Sequence, residues 1–159
     1  MTVNTPNNTT DPTTLYRERI WPSPWVFVQT ALVIPASLLV SLPISLLAGV
    51  ITAIVLYSAI VSVLIATSPV IELVPGELVA GRARVPIELI GAVTAFRGEE
   101  ATLQRGRLLD ARAWLLIRGW VSPVVRIEIS DDNDPTPYWI VSTRAPEDLV
   151  AAITAAKAA

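Results

Sequence analysis

Residues 20–71 read IWPSPWVFVQTALVIPASLLVSLPISLLAGVITAIVLYSAIVSVLIATSPVI, and not one of them is charged. A helix that spans a bilayer needs about 20 apolar residues, so the run holds two spans rather than one. It is too long for the apolar segment of a signal peptide, and no A-x-A site closes it. The first span is expected over 25–42 and the second over 44–67, with Pro43 in the turn between them. Pro35 removes a backbone donor inside the first span and should kink it, as membrane helices tolerate when neighbours satisfy the freed carbonyl. A single re-entrant segment is the alternative. The connection has no polar residues, so the turn should lie at or just below the far membrane surface.

The flanks set the orientation. Arg17 and Arg19 precede the run, Arg82 and Arg84 follow it, and the hairpin tip carries no charge. The positive-inside rule then places both termini on the cytoplasmic side of the plasma membrane. Tyr16, Arg17, Arg19, Trp21 and Trp25 mix aromatic and basic side chains just ahead of the first span. They read as an anchor at headgroup level, where amphipathic rings settle. Three segments follow: a tail at 1–15 too polar to bury a core, an anchor with its two-span hairpin at 16–69, and a cytoplasmic domain at 70–159.

On the second span, Ala48, Thr52, Ala59, Ser62 and Ala66 share an arc of about 80°. Small residues let helix backbones approach closely. The expected partner is the first span near Ala36, Ser37 and Ser41. A homodimer seam is the alternative and is not favoured.

Composition narrows the chemistry. Charged residues are 16% of the chain and apolar residues 52%, against about one quarter charged in ordinary soluble proteins. Cysteine and histidine are absent, which removes disulfides, thiol nucleophiles, imidazole bases and the usual transition-metal ligands. All the basic residues except Lys157 are arginine, which we read as genome composition. A net charge of −2 without a basic stripe argues against nucleic-acid binding.

The polar domain alternates strands with turn signals. Val70–Val74 and the run at 78–80 flank Pro75-Gly76, which suits the centre of a type II turn. A short element starts at Arg84, a strand runs over 92–96, and a helix is expected over 99–109. Further strands are expected at 114–118, 124–130 and 138–143. In the second of these Val125, Ile127 and Ile129 alternate with Arg126, Glu128 and Ser130. Pro146 should open a closing helix at its favoured first position, with Glu147 and Asp148 against the positive end of the dipole. The fold class is therefore an α+β membrane protein. A two-helix transmembrane hairpin precedes a small antiparallel-sheet domain capped by a C-terminal helix.

Two stretches carry a resemblance. Tyr-Arg-Glu-Arg-Ile-Trp-Pro (16–22) and Asp-Pro-Thr-Pro-Tyr-Trp-Ile-Val-Ser-Thr-Arg-Ala-Pro (134–146) resemble a family of small actinobacterial membrane proteins of unknown function. The likeness runs from Tyr16 over nearly the whole chain, and it implies no activity. The architecture is also similar to bacterial membrane-anchored domains with a pleckstrin-homology-like fold. In that fold a curved antiparallel sheet is capped by a C-terminal helix, and the insert at 99–109 departs from it.

No catalytic signature emerges. Asp131, Asp132, Asn133 and Asp134 lack the glycine and glutamate that an EF-hand loop needs at its sixth and twelfth positions, so they read as a solvated turn. Ser142-Thr143-Arg144 has no base and no glycine elbow. Neither a metal site nor a cofactor is expected. What remains is aromatic and basic: Trp114, Arg118, Trp120, Arg126, Tyr138, Trp139 and Arg144. Trp114 should share a strand face with Arg118, and Tyr138 with Arg144. Arginine grips phosphate with two donors, and Trp and Tyr suit a wet apolar boundary, so a lipid-headgroup or peptide surface is one reading. The others are tryptophans filling a small core with solvated arginines around them, and a wall resting on headgroups. The expected function is non-enzymatic recognition of a membrane partner or lipid. An enzyme or enzyme subunit acting on lipid-linked envelope precursors is the alternative, and its chemistry would rest on Asp, Glu and Arg alone.

Overall fold

A computed structural model describes residues 14–131 and 134–159. The chain forms two compact units: one runs up to Arg19 and resumes over Val70–Ala159, and the other is Ile20–Pro69.

The second unit is the charge-free run. Helices α1 (Pro24–Thr30) and α2 (Val33–Ser41) form one interrupted rod, and α3 (Leu46–Ala66) returns beside it. The interruption at Ala31-Leu32 lies just ahead of Pro35, whose ring clashes with the carbonyl four residues earlier, that of Ala31. That carbonyl accepts instead from the Ile34 N–H at 3.0 Å. The rod Pro24–Ser41 is 18 residues and α3 is 21 residues. At 1.5 Å per residue they reach roughly 27 and 32 Å, close to the thickness of a bilayer's hydrocarbon core. Only 6% and 11% of their apolar windows are buried. Hydroxyls are satisfied within the helices: Ser37 donates to the Val33 carbonyl (2.7 Å), Ser62 to Ser58 (2.7 Å) and Ser68 to Leu64 (2.9 Å). Hydrocarbon would offer them no other partner.

The seam between the helices corrects the sequence expectation. Ala48, Thr52, Ala59, Ser62 and Ala66 are exposed, whereas Gly49 and Ala53 are buried. On the first-span side Ser37 is buried and Ser41 half-buried, as expected, while Ala36 is exposed. A Cβ built on Gly49 would sit 3.1 Å from Ser41 Cβ and 3.3 Å from Leu38 Cδ2. The glycine is the smallest residue of α3, and it sets the azimuth about one position away from the alanine-rich arc.

The other unit contains two sheets. The first joins β1 (Tyr16–Arg19), β2 (Val70–Val74), β3 (Glu77–Ala80) and β4 (Ala83–Pro86) in that order, all antiparallel. Gly76 at φ +82° makes the β2–β3 turn possible. Here the structure moves a boundary. Residues 16–19 were expected to belong with the hairpin, but they are a strand, and Leu15 already donates to the Leu73 carbonyl at 2.8 Å. Only residues 1–13 of the expected tail lie outside the described residues.

A single 3₁₀ turn leads into the second sheet, which runs in the order β5 (Ile90–Phe96), β7 (Val124–Ile129), β8 (Tyr138–Ser142), β6 (Trp114–Leu116). It is mixed, because β6 and β8 are parallel, which corrects the expectation of a purely antiparallel domain. Helix α4 (Gly98–Arg105) returns the chain so that β6 enters beside β8 and β7 fills the far side of β8. Such pairing of distant segments leaves no local trace in a sequence.

Strand β8 is buried at every position. Val124, Tyr138 and Ile140 form a cluster with Ala101 of α4, packed by Phe96, Leu109, Ala113 and Ile117. Helix α5 (Pro146–Ala158) packs on β5 and β7 and fully buries Leu149 and Ile153. The first sheet buries Ile71, Leu73, Leu78, Ala80 and Val85 on one face, consistent with its register.

Gly49→Leu is expected to lower the thermal midpoint of the full chain in detergent, an overpacking cost of roughly 1–3 kcal/mol. Ala48→Leu, one position away on the exposed face, should leave the midpoint unchanged. Equal effects of the two would place the seam elsewhere.

Candidate functional site

The structure distributes the seven aromatic and basic candidates over four places. Trp114 and Trp139 are register partners on β6 and β8, and their rings lie 4.6 Å apart at 42°. Trp139 is buried and Trp114 half-buried, so this pair serves packing first. Tyr138 is buried too. Its hydroxyl donates to the Leu108 carbonyl (3.2 Å) and accepts from the Asp110 N–H (2.6 Å), tying the segment after α4 to β8.

Arg126 lies across the same ring, its Cζ 4.0 Å from the centroid, with Nη2 at 3.6 Å from Glu128 Oε1. Its Nε is buried and has no hydrogen-bond partner among the described residues. Arg126 is thus held by an aromatic face and one acidic neighbour, a site with spare donor capacity.

Arg118 and Trp120 form a looser pair, with Cζ at 6.0 Å from the ring. The expectation that Trp114 and Arg118 share a strand face does not hold, because β6 ends at Leu116. Likewise β8 ends at Ser142, before Arg144. Strand alternation cannot carry a side chain past the end of the strand. The Arg118 N–H donates to Ser142 Oγ at 3.1 Å, and Trp120 Nε1 is buried without a partner among the described residues.

Sequence reasoning missed a polar group that joins distant segments, Glu18. Register places Tyr16 and Glu18 opposite Leu73 and Ile71, on the buried face of the first sheet. The Glu18 carboxylate accepts from the Thr143 hydroxyl, from the Arg144 N–H (2.8 Å) and from the Tyr16 hydroxyl (3.0 Å). Thr143 is fully buried and its Oγ1 also accepts from the Ala145 N–H at 3.1 Å, ordering the turn into α5. The two stretches that carry the family resemblance therefore meet at one carboxylate. Period-2 alternation of Tyr16 and Glu18 against Arg17 and Arg19 was the available signal. Burial, then the Glu18 charge, pushes the Tyr16 phenol up to about 12.

Of the anchor candidates, Tyr16, Arg17 and Arg19 lie on β1, where Arg17 pairs with Glu72 across the strands at 3.0 Å. Trp21 and Trp25 are exposed. Three carboxyl groups are held low. A hydrogen bond from Arg97 takes Glu147 down to about 2, Arg112 lowers Asp110, and Thr136 lowers Asp134. Each favours the ionised form, the opposite of what a general acid needs. Among the described residues no group of three or more His, Cys, Asp or Glu side chains could hold a metal ion. Residues 132–133 of the acidic turn lie outside the described residues. A groove of about 430 Å³ is lined by Gly76, Ile87, Glu88, Ala156 and Lys157, with one carboxylate and one ammonium.

Two outcomes follow for the Glu18 network. Glu18→Ala leaves the buried Thr143 hydroxyl and the Arg144 N–H without their acceptor, and should cost roughly 1–3 kcal/mol in thermal or denaturant unfolding of the full chain. The Tyr16 phenol, raised above the ordinary 10.0, contributes stability that is complete below pH 10 and is lost as pH rises toward about 12. A difference absorbance titration of wild type against Tyr16→Phe should show the missing phenol titrating late, near 12. A step at the ordinary value would remove Tyr16 from the network.

No curated protein and no solved structure matches the chain. A family model described as "Protein of unknown function (DUF3093)" matches residues 15–153. That match begins one residue before β1 and ends within α5, so it takes in the hairpin, both sheets and the Glu18 junction, and the chain belongs to this family of unknown function.

Proposed function

We propose that this protein is a two-span membrane protein whose α+β unit is a non-enzymatic binding or scaffolding module for a membrane component. One observation carries the reading. A charge-free, solvent-exposed pair of helices leaves a sheet at Arg19 and returns at Val70, and those two residues are register partners. Water gives no account of so many exposed leucines, isoleucines and valines, whereas hydrocarbon does. The exposed Trp21 and Trp25 at the start of the first span suit an interfacial anchor. Arginines before and after the hairpin, with none at its tip, favour cytoplasmic termini.

The pleckstrin-homology-like reading draws support from two successive four-stranded sheets and a closing helix. The parallel β6–β8 pair departs from it. The actinobacterial reading rests on the motifs at 16–22 and 134–146 alone. A binding role is preferred over an enzymatic one because the polar side chains gathered in the unit are arginines beside aromatic rings and ionised carboxylates. Arg126, whose side chain lies over Tyr138 and is about a third exposed, is the candidate contact for an acidic group of the ligand.

The topology has a direct test. A cytoplasm-active reporter at the C-terminus and a periplasm-active reporter at the Pro43 turn should both be active. Activity of the swapped pair alone would overturn the orientation, and recovery of the chain in the soluble fraction would overturn the membrane reading.

A further inference from the structure

The charge-free run holds a single tyrosine, Tyr57, and it lies midway along α3. At 1.5 Å per residue it is roughly 17 Å from the Leu46 end and roughly 14 Å from the Ala66 end, more than a tyrosine side chain can span. A long side chain near a helix end can carry its polar tip to the interface, and Tyr57 cannot. Its phenol has no hydrogen-bond partner among the described residues. Serine and threonine hydroxyls meet the same difficulty by turning back onto their own helix, as Ser37, Ser62 and Ser68 do. A phenol is held out on its ring, too far from its own backbone for that.

Tyr57 is half-buried and opens onto a groove of about 200 Å³ along the hairpin. Ile34 and Leu38 of α2 line one side, and Val50, Ile54, Tyr57 and Ser58 of α3 the other. Val50, Ile54 and Ser58 are exposed. Ser58 Oγ is also without a partner among the described residues, so two adjacent hydroxyls interrupt an otherwise apolar lining. Acyl chains can cover the apolar part and offer nothing to the hydroxyls. The volume falls below the roughly 300 Å³ at which ligand pockets begin, which favours the ridge of a packing helix over an enclosed small molecule. Val50, Ile54 and Tyr57 recur at spacings of four and three, the stripe along which parallel helices pack.

We infer that a second copy of the chain packs its α3 along this groove, with each Tyr57 hydroxyl donating to Ser58 Oγ of the other copy. The inference rests on the membrane reading proposed above and adds a partner to it. Two copies inserted by the same signals share one orientation, so α3 meets α3 in parallel and each residue faces its own level in the other copy. That symmetry supplies an acceptor at the depth where Tyr57 needs one. Ser58 suits the role because a hydroxyl that donates to its own helix keeps lone pairs to accept with. The seam is separate from the small-residue arc of Ala48, Thr52, Ala59, Ser62 and Ala66, none of which lines the groove.

The full chain, labelled at its N-terminus with a donor or an acceptor dye, is reconstituted into phosphatidylcholine vesicles and floated to establish insertion. Energy transfer is then followed as lipid is added. Wild type should show transfer that falls reversibly on dilution and varies with acceptor fraction as a dimer requires. Tyr57→Phe should weaken association roughly tenfold, the effect of losing two interhelical hydrogen bonds. Ser58→Ala breaks the same two bonds, so it should match, and the double variant should be no weaker than either single change. Ala48→Leu, on the exposed arc, should associate like wild type. Floating wild type with no transfer above chance overturns the pairing, whether a lipid-soluble molecule or another protein covers Tyr57, and leaves the membrane reading standing. Wild-type association in either single variant, additive losses in the double variant, or loss in Ala48→Leu overturns it as well. Protein that does not float overturns both. Each single change removes one oxygen atom, and if one variant fails to fold the other is the deciding measurement.

Discussion

The structure depends on closing a hairpin across its base. The charge-free helices cannot anchor themselves to one another by hydrophobicity if lipid surrounds them, since hydrocarbon and leucine are equally apolar. Their ends are held instead by backbone hydrogen bonds. Ile20 donates to the Pro69 carbonyl at 3.0 Å, and next to that bond β1 and β2 pair over four residues from Arg19↔Val70 to Tyr16↔Leu73. The strand before the first span is thereby committed to a sheet whose other strands are all made after the second span. Neither sheet nor hairpin is complete without the other half of the chain.

That commitment explains why a carboxylate is tolerated on the buried face of β1. Strand alternation forces Glu18 inward with Tyr16, and an inward carboxylate is costly unless donors meet it. Thr143 and Arg144 supply two, from a strand end and a turn more than a hundred positions away, and Tyr16 supplies the third from β1 itself. The same bonds order the entrance to α5, where Pro146 takes the first helical position and the Ala145 N–H is already satisfied by Thr143. β1 thus meets the second sheet's last strand at one point, through charge-assisted bonds that tolerate little displacement.

Local features were legible in the sequence and pairings were not. The Pro75-Gly76 turn, the alternation at Val124–Ile129 and the proline-opened final helix follow from residue chemistry within a few positions, and each is found where expected, whereas the helix expected over 99–109 starts at Gly98 and already ends at Arg105, ahead of Gly106. The strand at Tyr16–Arg19 was hidden by its neighbour: a short Arg/Glu alternation beside a long apolar run reads as a flank. The parallel β6–β8 pair and the Glu18 junction join segments that no local period connects. The helix seam was misread for a physical reason. Five small residues define a broader arc than two, yet closest approach is set by the smallest residue, and Gly49 has no Cβ.

The aromatic candidates show how far composition can carry a functional reading. Tryptophan, tyrosine and arginine in one stretch suit a ligand surface, but the same residues are large enough to build the core of a small unit. Strand β8 decides between these, since it lies between β7 and β6 and under α4, and all five of its residues are buried. Tyr138 and Trp139 therefore act first through packing, and Tyr138 passes its influence outward through Arg126, which lies on its ring with one nitrogen unpaired.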